Sequence, residues 1–395
     1  MNAPATEPRV LFFISVMGHG RGGHFYSLRT TAEALSAHFP CRIVMLGKKV
    51  SPVIASSSVP HSLVRATGWN HPAAVLAIKR EIREFRPTVL HSFDVSSHGL
   101  VRAAGVLSRL PVVMTKAGGP NPKRFFPRAD HIVLFSKENA DFFAAHPKFR
   151  RARRYHIPNR AVEIQDDPRR IAKARATLDP NRPTFLRIAR FNPHYRESLV
   201  QAVNLVKRLN GDGAPCQLVL IGTPQIPAVY GEILALRDEH IHIFAEDEYT
   251  VEASQLLGLA DFVVSTGRSI MEASSKGKVL LTPYAGGTIP VLVTPENFQS
   301  FFETNFSPRN SLADYNEEAN YARLRTLVTD RSQADQLKNQ SREWFDRHFS
   351  IHGAIDAYRD VYETAMRVGV GSPHPVDALL NSALSLRHYA RAANE

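Results

Sequence analysis

One carboxylate, Glu272, stands about one turn into what reads as a helix, directly after the polar turn Thr266-Gly267-Arg268-Ser269 and the short apolar run Phe262-Val263-Val264. Strand, glycine turn and helix together present backbone N–H groups and a helix dipole to a phosphate. A carboxylate at that spacing is placed to accept from hydroxyls beside the phosphate, as in a ribose diphosphate. An ordinary βα unit with a surface glutamate would leave the same residues. A second anion-binding pattern lies upstream, where the apolar strand Thr184–Ala189 runs into Arg190. Arg196 follows six residues later, at the start of an amphipathic helix marked by Leu199, Val203, Leu205, Val206 and Leu209. Two guanidinium forks leaving a strand end match phosphate oxygens. Between the two patterns, Gln217–Ile221 reads as a strand ending in a turn at Gly222, and Ile241–Phe244 as a further short strand.

Positioning these groups requires alternating strands and helices, and the first part of the chain shows the same rhythm. Strands are expected at Val10–Val16, Cys41–Leu46, Thr88–His91, Pro111–Thr115 and His131–Phe135, with helices over Phe25–His38, Pro72–Phe85 and Gly99–Leu107. Such alternation predicts a parallel sheet with ligands at the carboxyl ends of its strands. After the first strand comes Gly18-His19-Gly20-Arg21-Gly22-Gly23, which satisfies the dinucleotide fingerprint G-x-G-x-x-G in its proper context. That fingerprint calls for an acidic residue at the end of the second strand, and here stand Gly47-Lys48-Lys49. An NADP-binding oxidoreductase therefore stays open, although it leaves Arg190, Arg196 and Glu272 without a role.

Taken in order, Arg190 with Arg196, Gly222, Phe244 with its acidic loop, Ala260-Asp261 and Glu272-Ala273 with Gly277 resemble the family-4 glycosyltransferases of the GT-B fold. The resemblance extends over the glycine loop after the first strand, Ala129–Ser136, Ile157-Pro158-Asn159, Trp344–Ser350 and Tyr358–Tyr362. It implies two Rossmann-like doubly wound α/β domains facing a cleft, with a C-terminal helix crossing back to the first. The expected bounds are 1–157 for an acceptor-binding domain, 158–182 for a linker and 183–351 for the nucleotide-sugar domain, with 352–395 packing back on the first. It further implies retaining, metal-independent transfer from a nucleotide-diphosphate sugar, a UDP-sugar favoured, with no resident cofactor. Arg190, Arg196 and Glu272 are the implied catalytic residues. Donor contacts are implied for Gly22, Gly23, Arg190, Arg196, Gly222, Thr266, Gly267, Arg268, Ser269 and Glu272.

Two departures from the family stand out. Many members carry two glutamates separated by seven residues, the first on the donor sugar and the second on the ribose. Here the turn before Glu272 is shorter by about six residues, and the position eight before it is Val264. Thr266 and Arg268 are the nearest polar replacements for the missing glutamate. The family also commonly has a histidine after the strand matching Val112–Thr115; this chain has Lys116, read either as a sugar or phosphate contact or as an exposed side chain. His91, at a strand end, is either near the site or a satisfied core residue. A non-catalytic sugar-nucleotide-binding protein of the same fold remains a further alternative.

Composition sets the outer limits. The 395 residues suit two α/β domains, and 44% hydrophobic with 22% charged residues is globular. No apolar run approaches the roughly 20 residues of a membrane span. With no signal-peptide pattern and only Cys41 and Cys216, a reducing cytoplasm is expected, without a disulfide or cysteine-metal framework. The net charge of +12 is one-sided. Residues 1–157 hold 23 Lys+Arg against 8 Asp+Glu, a net of +15, and residues 158–395 hold 26 against 29, a net of −3. Clusters at Lys79-Arg80 with Arg83, Lys123-Arg124 and Arg150-Arg151 with Arg153-Arg154 favour an anionic partner. A saccharide or lipid-linked acceptor and the inner face of an anionic membrane both suit them. Nucleic acid does not, because no aromatics interleave the clusters.

Overall fold

Val10–Val16 is buried at all seven positions, and a strand with no polar face belongs in the middle of a sheet covered on both sides. That strand, β1, pairs in parallel with β2 (Cys41–Gly47) and with β4 (Val89–Ser92). The sheet is completed by β3 (His61–Arg65), β5 (Val112–Lys116), β6 (His131–Leu134) and β7 (Arg153–His156), in the order β3-β2-β1-β4-β5-β6-β7, all parallel. Side chains of β1 alternate between two cores. Val10, Phe12, Ile14 and Val16 pack with Phe25 and Leu28 of the helix Gly23–Ser36, while Leu11 and Phe13 pack with Ile78, Ile82, Leu100 and Val101.

The computed structural model describes residues 7–18, 20–67, 71–122, 126–370 and Ala383. The chain divides into two units, Met1–Arg160 with Ile351–Glu395 and Ala161–Ser350. The helix Ile355–Val368 belongs to the first unit. Its Tyr358, Val361, Tyr362 and Ala365 enter the same core as Phe12 and Ile43, as expected for a helix that crosses back. Grouped this way the charge asymmetry persists, with 28 Lys+Arg against 13 Asp+Glu in the first unit and 21 against 24 in the second.

The second unit repeats the logic with β8 (Thr184–Ile188), β9 (Gln217–Ile221), β10 (Ile241–Phe244), β11 (Phe262–Val264), β12 (Val279–Thr282) and β13 (Val291–Leu292). Their order is β10-β9-β8-β11-β12-β13, parallel except for β13, which runs antiparallel to β12. The helix Pro193–Gly211 covers one face through Leu199, Val203, Leu205, Val206 and Leu209, the predicted stripe.

One expectation needs correction, and two features add to it. Residues 161–182, expected as linker, lie within the second unit. Their helix Pro168–Arg175 is capped by Asp167 and buries Ile171 and Ala174 against Leu257 and Leu259. The helical stretch Glu317–Trp344 is two helices, Glu317–Thr329 and Arg331–Trp344. Asp330 breaks it by accepting from the N–H groups of Ser332 and Gln333 and so starting a new helix. The edge strands β3 and β7 carry mostly exposed, polar side chains and leave no apolar run in the sequence. The cluster Lys123-Arg124, His19 of the glycine loop and most of the tail 371–395 lie outside the described residues. No helix among the described residues is long and apolar enough to cross a membrane.

Candidate functional site

In each sheet the strand order reverses direction once, between β1 and β4 in the first and between β8 and β11 in the second. Open α/β sheets bind ligands at that switch point, beyond the carboxyl ends of the strands. Arg190 leaves β8 and the Thr266–Ser269 turn leaves β11 at the second of these points, so two patterns far apart in sequence meet there.

Gly267 adopts φ +54°, ψ −125°, a conformation open to glycine, and turns the chain directly into the helix Arg268–Ser275. Within this helix Arg268 and Glu272 are one turn apart, and Nε of Arg268 donates to Oε1 of Glu272 at 2.7 Å with the side chains only 9% and 11% exposed. Oε2 of Glu272 has no partner among the described residues. It is the free acceptor that a ribose assignment requires. Thr266 and Ser269 are half-buried at the mouth of the turn, and Ser265 behind them is buried with an unpartnered hydroxyl. Of the two polar replacements expected for the missing glutamate, Arg268 thus commits its Nε to Glu272.

Arg190 is exposed, lies 5.4 Å from the Tyr195 ring centre, and donates through Nη2 to the Tyr195 hydroxyl at 3.3 Å. The helix that follows opens with Asn192, whose side chain accepts from the Tyr195 N–H, and with Pro193 in its first turn. Arg196 sits on that same turn but bonds Glu232, with Nε to Oε2 at 2.7 Å, and the Glu232 carboxylate raises its pKa. Gly222 is required by packing, because a Cβ there would stand 1.8 Å from the carbonyl oxygen of Ala189. The glycine thus lets β9 exit beside the Arg190 loop.

Sequence reasoning passed over Arg187. This β8 residue is 1% exposed, donates to Ser198 Oγ and to the carbonyl of Val264, and burial pulls its pKa down to about 10. Its signal was a lone arginine inside the apolar run Phe185–Ala189 of a strand covered on both faces.

Gly22 and Gly23 belong to the first unit, where Gly22 caps the helix Gly23–Ser36. Gly18 and Gly20 have φ +61° and +62°, and the carbonyl of Gly20 accepts from Ser51 Oγ at 2.6 Å. No carboxylate stands at Gly47–Lys49 where β2 ends. Lys116 is not exposed. Its ammonium donates to the carbonyls of Gly118 and Gly119 and to Asn139 Oδ1, bracing the loop after β5. His91 is a core residue, with Nδ1 hydrogen-bonded to the Tyr362 hydroxyl at 2.9 Å and Nε2 to Thr115 at 2.7 Å. Burial pushes its pKa down to about 3. Among the described residues no cluster of three His, Cys, Asp or Glu is arranged to hold a metal ion.

No protein-family model matches the chain, and no curated protein matches it. Solved structures do match over nearly its whole length. A glycosyltransferase of Rickettsia africae superposes with a TM-score of 0.66 at 15% identity, covering 92% of this chain and 99% of that one. Anabaena HepE in complex with UDP and glucose gives 0.63 at 13%, covering 90% and 99%. A candidate UDP-N-acetylglucosamine 2-epimerase of Listeria monocytogenes gives 0.55 at 13%, covering 90% and 97%. At these identities the likeness shows the fold: two doubly wound parallel-sheet domains of the GT-B type.

Proposed function

We propose that the protein is a glycosyltransferase that takes its sugar from a nucleotide-diphosphate donor, a UDP-sugar favoured, and passes it to a saccharide or lipid-linked acceptor. The observation that carries this reading is the meeting of Arg190 and the Thr266–Glu272 segment at the β8–β11 switch point, with Oε2 of Glu272 unpartnered among the described residues. In this reading Glu272 holds the ribose, and the backbone of the Gly267 turn with the start of its helix faces the diphosphate. Arg190 and Arg196 offset the charge that develops on the leaving group, with Arg196 exchanging Glu232 for phosphate. Preorganised donors of this kind act where charge appears in the transition state, which supports transfer without a bound metal. The UDP-bound Anabaena structure supports UDP as the nucleotide. The basic first unit is assigned to the acceptor and to docking on an anionic membrane face, as in polysaccharide or glycoconjugate synthesis in the cytoplasm. Retention of configuration rests on the family resemblance.

The 2-epimerase of the same fold supports a second reading, in which the nucleotide sugar is rearranged rather than transferred. A thermal-shift panel of UDP-, GDP-, ADP- and CDP-sugars with NADPH tests the nucleotide. A ligand at 100 times its dissociation constant adds about 2.7 kcal/mol to stability. Protection by a UDP-sugar and not by NADPH is expected, and protection by NADPH alone overturns the reading. Appearance of a glycosylated acceptor, against an epimerised nucleotide sugar, then separates transfer from epimerisation.

A further inference from the structure

Arg187 shares its strand parity with Phe185 and Ala189, which enter the apolar cluster of Leu199, Val203 and Val264. A guanidinium in that layer is an unfavourable placement. Burying a charge is tolerated when an opposite charge accompanies it, and none does. Nε and Nη2 donate to the Ser198 hydroxyl at 3.3 and 2.8 Å, Nη1 donates to the Val264 carbonyl at 3.2 Å, and the Tyr195 ring centre lies 5.9 Å away. No carboxylate comes within bridging distance among the described residues. Hydroxyls and carbonyls can be braced by neutral donors at a lower desolvation cost, so bracing alone does not account for the charge.

Its position does. Val264 is the last residue of β11, two positions before the Thr266-Gly267 turn, and Tyr195 is the ring on which Arg190 rests. The guanidinium therefore lies beneath the point where both anion-facing loops leave the sheet. We infer that Arg187 supplies a standing positive potential to the nucleotide site, its missing counter-ion being the diphosphate of the bound nucleotide. The inference rests on the reading of that site given above.

The test measures binding of UDP, UMP and uridine to the full chain and to its Arg187→Met and Arg187→Gln variants. The field of one buried charge carries well beyond contact distance where the effective dielectric is low, so both neutral variants should lose UDP roughly tenfold relative to uridine, with UMP between. Arg187→Met should also melt no lower than the parent, because an apolar side chain replaces an unpaired buried cation. Arg187→Gln leaves a neutral amide donor near Ser198 without the charge, so parental UDP affinity in that variant overturns the inference, as does an equal loss of all three ligands. If uridine binds too weakly to measure, the UDP-to-UMP ratio decides. If the parent protein binds none of the three, the failure lies in the proposed function, and the inference falls with it.

Discussion

Replacing Glu272 by glutamine separates the two duties of that carboxylate. Oε1 neutralises Arg268 through a 2.7 Å bond between side chains 9% and 11% exposed, whereas Oε2 has no partner among the described residues. A hydrogen bond to a charged group contributes about 1.5–3 kcal/mol when it is kept from water. Neutralising Glu272 therefore should cost about 2 kcal/mol of folding stability, which lowers Tm by about 6 °C for a domain of this size. Nucleotide binding should fall separately. A ribose hydroxyl that donated to a carboxylate would donate to an amide oxygen, a loss on the order of tenfold in Kd. UDP and UDP-sugar should weaken in parallel, since the ribose is common to both. The double variant Arg268→Met with Glu272→Gln removes both partners of the pair. It should recover part of the stability and none of the UDP affinity, and the cycle isolates the pair from the ligand contact. Calorimetric titration of UDP alongside thermal melts gives both numbers. A stability loss with UDP affinity unchanged would refute the reasoning, because Glu272 would then serve Arg268 alone.

Other consequences can be checked independently. Arg190→Ala should lower turnover with a UDP-sugar far more than it lowers Tm, and Arg196→Ala less so, because Glu232 already neutralises that side chain. Steady-state kinetics on the two variants decide this, and unchanged rates in both remove the phosphate assignment. His91 and His98 are each pushed down to about 3, by burial first and for His98 also by the nearby Arg102 charge, whereas unfolded histidine titrates near 6.5. The unfolded chain thus takes up protons first, so stability is complete above about pH 6.5 and falls as the pH drops toward 3. The slope reaches about 1.4 kcal/mol per pH unit for each histidine. Urea melts from pH 7 to 5 should show the decline, shallower in His91→Asn, and a flat profile contradicts it. Arg150, Arg151, Arg153 and Arg154 are all exposed around β7, and neutralising them should weaken sedimentation with anionic vesicles at low salt. Equal binding to neutral vesicles would assign that charge to another partner.

Much of the frame was legible because burial on both faces leaves an apolar run, as in β1 and β11, and because anion-binding turns carry their residues locally. Gly267, Arg268 and Glu272 are neighbours in sequence, and even their i,i+4 ion pair could have been read from the spacing. Features settled by contacts distant in sequence stayed hidden. Lys116 was open to two readings until Asn139 and the Gly118–Gly119 carbonyls supplied its partners. Arg196 looked like a free phosphate ligand, and Glu232, 36 positions on, takes its guanidinium. The edge strands β3 and β7 carry no periodic signal, since an edge has little core to face. Asp330 reads equally as the interior of one long helix or the cap of a new one, and its carboxylate takes the second role by accepting from the Ser332 and Gln333 N–H groups.

A crystal structure with UDP soaked in tests the central claim most directly. The account predicts the diphosphate against the Thr266–Arg268 turn at the end of β11 and the ribose hydroxyls on Oε2 of Glu272. UDP seated instead on the Gly18–Gly23 loop alone, with Glu272 untouched, would contradict it.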